Sequence, residues 1–373
     1  MNTHTALAQQ LADAGHLTDD WHEAFTQVRR EDFIPARIWV RATDGYHPVD
    51  RATHPDRWRE LANSDTALVT QVADPPGTPT PLTPTSSASM PRIVAHMLDH
   101  LDVHDGARVL EIGTGTGYNA ALLCHRLGSD RVTSVEVDPE LAETARAALK
   151  AAGYTPTIRT GDGTRGAPDD GPFDRVIVTC ALHHIPPALV EQTTAGGIIV
   201  APWGTGLYNG VLARLTADGD GTAHGPVVGD SAFMWNRGEA PDRDVMALVH
   251  DDHQPTTGRT ALDPRNVLGD ENAAFTAGIL VPGCRYSVGH GPDGEFTLWL
   301  GDLGTGSWAS VDYTPGAREF EVQQHGPRAL WDEIERAHDW WVQAGSPERT
   351  RYGITVGRDG QHVWLDTPDR VVA

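Results

Sequence analysis

The sequence is poor in cysteine, poor in cations and without any long apolar run. Cys124, Cys180 and Cys284 are the only three cysteines in 373 residues, and no two form a CxxC pair. That excludes a disulfide framework and a thiolate zinc site, so no metal is expected. No apolar run approaches the roughly 20 residues that cross a bilayer. The N-terminal stretch MNTHTALAQQLADAGHLTDD lacks the basic-then-apolar order of a secretory signal. These absences point to a reducing cytoplasm and away from a membrane. Cations are scarce: 29 Lys and Arg stand against 51 Asp and Glu, a net charge of −22. Nucleic-acid binding needs clustered cations against phosphate, so no such partner is expected. The acidity itself reads as solubility.

Apolar periodicity organises the rest. Leu7, Leu11, Leu17, Trp21, Phe25 and Val28 predict two short helices within 5–30, interrupted at Gly15. The stretch ALVTQVADPPGTPTPLTPTSSAS, 67–89, is dense in Pro, Thr and Ser and reads as a loop, either a linker or a lid. From Met90 onward the signals alternate. PRIVAHMLDHLDV is a helix, RVLEIG a strand, NAALLCHRLG a helix and RVTSVEVD a strand. PELAETARAALKAAG is a helix with Pro at its start and Gly153 past its end. PTIRTGDG and FDRVIVTCAL are strands, PPALVEQTTAGG a helix and IIVAPWG a strand. Such alternation with short connections specifies an open, mostly parallel α/β sheet. Beyond about residue 240 the texture changes to short strands (RYSVGHG, EFTLWLGDL, SWASVDY) and one amphipathic helix, PRALWDEIERAHDWWVQA. The hairpin RYGITVGRDGQHVWLD follows, with its turn expected at Asp359-Gly360. The helix's aromatic face reads as core rather than as a peptide groove, and the tryptophans Trp299, Trp331, Trp340 and Trp341 belong either to peptide recognition or to a plain core.

The stretch VLEIGTGTGYNAALL, 109–123, joins a strand to a helix through alternate glycines, Gly113, Gly115 and Gly117. Dinucleotide sites show GxGxxG. Here the spacing is GTGTG and an acid, Glu111, precedes it. An acid is ill placed beside a pyrophosphate and well placed beside the cationic methionine or ammonium of S-adenosylmethionine. Glu136 ends the next strand, where a carboxylate accepts from ribose hydroxyls. Asp162-Gly163 ends the third, where a carboxylate can accept from an adenine amino group. Three acids at three successive strand ends disfavour a nicotinamide dehydrogenase. His183 and His184 read as polar loop residues near the crevice, and Cys180 as packing behind the cofactor.

SASMPRIVAHML, VLEIGTGTGYNAALL, VEVDPELAETARAAL, GDGTRGAPDDGPFDRVIVTCALHHIPPALVEQ and GGIIVAPWG together resemble the protein-L-isoaspartate O-methyltransferase family, over about residues 20–210. The resemblance implies a Rossmann-like S-adenosylmethionine-dependent methyltransferase fold, with a smaller α+β C-terminal domain added. It implies Ser89 as the catalytic-site serine, with Ser87 to Met90 lining the cofactor pocket. Glu111, Gly113, Thr114, Gly115, Gly117, Tyr118, Asn119, Glu136, Val137, Asp162 and Gly163 would hold S-adenosylmethionine. The competing reading of Ser89, which the family resemblance disfavours, is a helix cap before Pro91, and the two roles are compatible. The expected divisions are 1–80, N-terminal helices and substrate loop; 81–239, the methyltransferase core; and 240–373, substrate recognition. Because of the residues past 240, the chain resembles methyltransferases associated with ribosomally made modified peptides such as lanthipeptides and graspetides. That likeness implies a macrocyclic precursor peptide as partner. Its Asp side chain would be methylated, and the ester would collapse to aspartimide and then isoaspartate. General isoaspartate repair is the alternative. An inert peptide-binding escort is the reading of another class, and intact Ser89, Glu111, Glu136 and Asp162 speak against it.

Overall fold

The computed structural model describes residues 3–43, 45–73, 83–239 and 244–373. Three sheets organise them. The N-terminal part contains helices α1 (Thr3–Asp13) and α2 (Asp19–Gln27). A four-stranded sheet of order β2-β1-β3-β4 follows, from β1 (Arg37–Ala42), β2 (Gly45–Asp50), β3 (Leu68–Ala73) and β4 (Thr83–Ala88), with α3 (Pro55–Ala62) against it. Ile38, Trp58, Leu61 and Leu68 form its small core. Here the sequence expectation needs correction. The stretch 67–89 is not one loop, because β3 and β4 pair antiparallel, Leu68 with Ala88 and Val69 with Ser87. Residues 74–82 of the expected loop lie outside the described residues.

The central sheet takes β5 (Val109–Ile112), β6 (Val132–Glu136), β7 (Thr157–Thr160), β8 (Phe173–Val178) and β9 (Thr193–Gly204) as its parallel part. Between them run α5 (Tyr118–Leu127), α6 (Pro139–Ala151) and α7 (Pro187–Glu191), and α4 (Pro91–Leu101) precedes them. β5 and β6 are buried throughout, as expected of parallel strands covered on both faces, even though Glu111, Thr133, Ser134 and Glu136 lie in them. α6 starts where Pro139 takes the first helical position and the Asp138 carboxylate accepts from the amides of Glu140 and Leu141. α7 is shorter than expected: Thr193 to Gly197 already belong to β9.

The sheet continues antiparallel through β10 (Asn209–Ala217) and β11 (Ala223–Asp230). Beyond it, β12 (Thr256–Thr260), β13 (Cys284–His290), β14 (Phe296–Asp302), β15 (Ser307–Tyr313) and β16 (Phe320–His325) form a second antiparallel sheet of order β12-β16-β15-β14-β13. α8 (Pro264–Leu268), α9 (Glu271–Leu280) and α10 (Leu330–Gln343) accompany it. Leu330, Trp331, Ile334 and Ala337 of α10 are buried in its core. The chain then returns: β17 (Tyr352–Gly357) and β18 (Gly360–Leu365) add to β11, giving nine strands of order β18-β17-β11-β10-β9-β8-β5-β6-β7. The end of the expected C-terminal unit is therefore part of the central sheet. Its hairpin closes through Arg358-Asp359, since Gly357 pairs with Gly360. Phe275 of α9 is fully buried, with its ring edge-to-face on Trp203, Tyr208 and Tyr352. Arg349 spans from Asp230 to Glu271 and Asn272. The C-terminal unit is thus keyed to the core by packing and by charge.

Candidate active site

From β5 the chain builds outward to β6 and β7, then restarts on the other side of β5 with β8. The crevice at the carboxyl ends of β5 and β8 is the switch point where such sheets bind ligands. A cleft opens there, with about 1080 Å³ of empty space including its mouth. Its wall includes Ser87, Ser89, Gly113, Thr114, Gly115, Tyr118, Asn119, Glu136, Val137 and Gly163. Four other residues expected in the site, Met90, Glu111, Gly117 and Asp162, are not on the wall.

The glycines are required by geometry. Gly113 has φ +92°, and a Cβ there would sit 2.5 Å from the Thr179 hydroxyl. Thr179 in turn donates to the Gly113 carbonyl at 2.6 Å. Gly117, at φ +89°, caps α5 behind the cleft rather than lining it. Glu136 is buried, and its two oxygens accept the amides of Gly115 (2.8 Å) and Asp138 (3.1 Å). The second strand's end is thereby locked to the glycine loop. Val137, beside it, is 48% exposed at the cleft.

Glu111 is placed differently from expectation. It has no exposure and faces inward from a strand whose residues are all buried. Its carboxylate accepts from the Asn119 amide at 2.7 Å and from the Ser134 hydroxyl. While Glu111 is ionised Ser134's proton is committed to it, so Thr114, 2.6 Å away, then donates to Ser134. Burial raises the Glu111 carboxyl to about 7, against the lowering pull of the Ser134 and Asn119 hydrogen bonds. Glu111 thus orients Asn119. The Asn119 amide nitrogen is taken by Glu111, and its carbonyl oxygen is buried without a partner on a cleft-lining residue. An orphaned acceptor beside a glycine loop matches a ligand ammonium.

Asp162 is exposed, and its Oδ1 accepts from the amide (3.0 Å) and hydroxyl (2.8 Å) of Thr164, capping a helical turn. Gly163 carries the wall there. Met90, not Ser89, is the N-cap of α4, and its side chain makes no capping hydrogen bond. The capping alternative for Ser89 is therefore not what the structure shows. Ser89 is half-buried, and its hydroxyl has no hydrogen bond among the described residues. Ser87 lies against the loop: a Cβ on Gly115 would meet its carbonyl at 3.9 Å.

Sequence reasoning missed one wall, Phe233 to Arg237. This segment bridges the loop after β8, with Ala181 donating to Met234 and Asn236 donating to Ala181. The signal was present, as an aromatic-rich FMW triplet in a polar stretch. His183 stacks on Trp235 at 3.8 Å and lies within hydrogen-bonding distance of the Gly204 carbonyl, so its Nδ1–H donates there. Burial holds its imidazole below the ordinary value. Burial also pushes the Cys180 thiol up to about 12. Arg237 donates to Gln71 and Asp138, tying β3 and the start of α6 to this wall. Among the described residues no group of three or more His, Cys, Asp or Glu is arranged to hold a metal ion. No helix among them is long and apolar enough to cross a membrane.

A parallel sheet with its switch-point cleft, a glycine loop locked to a strand-end acid and an orphaned acceptor define a Rossmann-like S-adenosylmethionine-dependent methyltransferase. The comparisons with known proteins narrow this class. The family model of protein-L-isoaspartate(D-aspartate) O-methyltransferase matches residues 40–235. A protein-L-isoaspartate O-methyltransferase of Methanopyrus kandleri is 38% identical over 241 residues, 61% of this chain and 92% of that one. One from Archaeoglobus fulgidus is 40% identical over 164 residues, 43% of this chain and 74% of that one. One from Ignicoccus hospitalis is 43% identical over 127 residues, and the match spans 34% of this chain and 60% of that protein. A solved protein-L-isoaspartate O-methyltransferase shares the fold, with TM-score 0.55 and 21% identity over 97% of this chain and 99% of its own. The chain belongs to the protein-L-isoaspartate(D-aspartate) O-methyltransferase family, whose members are S-adenosylmethionine-dependent carboxyl O-methyltransferases.

Proposed function

We propose that this chain esterifies the free carboxylate of an isoaspartyl residue in protein or peptide substrates, the reaction of general isoaspartate repair. The observation that carries the reading is the Ser89 hydroxyl: without a hydrogen bond among the described residues, on the cleft wall, and on the segment that lies against the glycine loop. A substrate carboxylate is ionised near neutral pH, with an ordinary pKa of about 4, so no general base is required. The residues have only to hold one carboxylate oxygen and leave the other free to attack. Ser89 donates to the held oxygen. Glu136 would hold the ribose hydroxyls, the Asn119 carbonyl the ammonium, the loop residues Gly113 to Thr116 the methionine chain, and Val137 with Gly163 the adenine. When bound, S-adenosylmethionine supplies the electrophilic methyl group. Phe233 to Arg237 and the loop after β8 wall off water.

The macrocyclic-precursor reading, with its aspartimide product, drew on the residues past 240. A solved protein of the same family aligns over 97% of this chain, so that extent no longer argues for a dedicated peptide. Expected from Ser89→Ala is a loss of turnover on the order of 100-fold, with melting temperature and S-adenosylhomocysteine affinity unchanged. Wild-type turnover in that variant removes Ser89 from the reaction.

A further inference from the structure

Arg30 is fully buried, and among the described residues no carboxylate lies within ion-pair distance of it. Its guanidinium donates instead to backbone carbonyls alone: Ala62 (3.2 Å), Ser64 (3.0 Å), Thr66 (2.8 Å), Ala88 (3.4 Å) and Ser89 (3.1 Å). Burial lowers its pKa to about 10, which leaves it charged at neutral pH. Enclosing a cation this way is costly without an ion-pair partner, so the arrangement calls for a reason. The carbonyls come from two places: the turn 62–66 after α3, and the end of β4 where Ser89 stands. The same turn reaches α4 by a second route. Asp65 accepts the Arg92 amide at 2.9 Å in the first turn of that helix. α4 has no side-chain cap of its own. The direction in which Ser89 leaves β4 and enters α4 is therefore set from behind by Arg30, and from the side by Asp65.

We propose that Arg30 is a positioning residue for Ser89: its planar fork fixes the Ala88 and Ser89 carbonyls and so aims the Ser89 hydroxyl into the cleft. This rests on the reading of Ser89 given above. A lysine cannot substitute. Its three donors radiate from one nitrogen and cannot span five carbonyls on two segments.

The test is a double-mutant cycle on the full chain, with Arg30→Lys, Ser89→Ala and the pair, reading kcat on an isoaspartyl peptide and S-adenosylhomocysteine affinity by calorimetry. The expected result is that Arg30→Lys lowers kcat by about 10- to 100-fold with cofactor affinity unchanged, and that the pair is no slower than Ser89→Ala alone. A pair whose loss is the product of the two single losses overturns the proposal, because a merely structural defect would add. Wild-type kcat in Arg30→Lys also overturns it. Wild-type kcat in Ser89→Ala, with Arg30→Lys impaired, sinks the Ser89 reading and this inference with it, and is distinguishable by which variant is silent. If Arg30→Lys does not fold, Asp65→Asn takes its place in the cycle, with a smaller loss expected and the same non-additivity. Amide hydrogen exchange needs no substrate: Arg30→Lys should speed exchange at residues 92–94 and spare β5. Unchanged exchange there contradicts the proposal even if isoaspartyl peptides are not the acceptor.

Discussion

Glu111→Gln isolates the buried acid behind the glycine loop. Glutamine has the same shape and keeps an oxygen for the Asn119 amide. The Ser134 hydroxyl can rotate to accept from the new amide and donate to Thr114, so both partners of Glu111 keep a hydrogen bond. What changes is titration. Burial raises the Glu111 carboxyl from 4.5 to about 7 in the folded protein. The folded state then holds a proton that the unfolded chain has lost, and wild-type stability falls as pH rises between those values. The fall is roughly 1.4 kcal/mol per pH unit, about 3 kcal/mol over the whole window. Above pH 7 it is complete. The glutamine variant has no such term. Urea unfolding of both proteins at pH 5, 6, 7 and 8 gives the difference, from which the other titrating groups cancel. The variant should gain on the wild type from pH 5 to 7 and then hold level. A pH-independent difference would mean that Glu111 is ionised throughout, and that the Ser134 and Asn119 hydrogen bonds outweigh burial.

Two further outcomes are expected. Asp162→Ala should weaken S-adenosylhomocysteine binding by about 1–3 kcal/mol if the carboxylate reaches the adenine amino group; unchanged affinity in calorimetry, with a lowered melting temperature, assigns Asp162 to its cap on Thr164 alone. Iodoacetamide at pH 8 should leave Cys180 unmodified and turnover intact, because desolvation pushes that thiol up to about 12; rapid labelling read by mass spectrometry would contradict a thiol held protonated.

The alternation of strands and helices was legible because the inner parallel strands β5, β6 and β8 are largely buried and their helices begin and end on Pro, Asp and Gly. The glycine loop and the Glu136 strand end followed from spacing. Other features depend on tertiary pairing and left little local trace. β4 is written in Thr, Pro and Ser, and becomes a strand only by pairing with β3. β17 and β18 read as part of a separate unit because their partner, β11, lies far earlier in the chain. Glu111 sits at the right strand end, but a strand end alone does not tell which way a side chain faces. Arg30 stands in RRED, which looks like a surface charge run, and only the fold turns it inward.

The central claim is methyl transfer to an isoaspartyl carboxylate. The direct measurement incubates the full chain with S-adenosylmethionine carrying a labelled methyl group and with paired peptides, of several unrelated sequences, that differ only in Asp or isoaspartyl linkage. The account predicts a base-labile methyl ester on each isoaspartyl peptide and none on its Asp partner. Label absent from every isoaspartyl peptide, yet present on the Asp of a macrocyclic one, would contradict it.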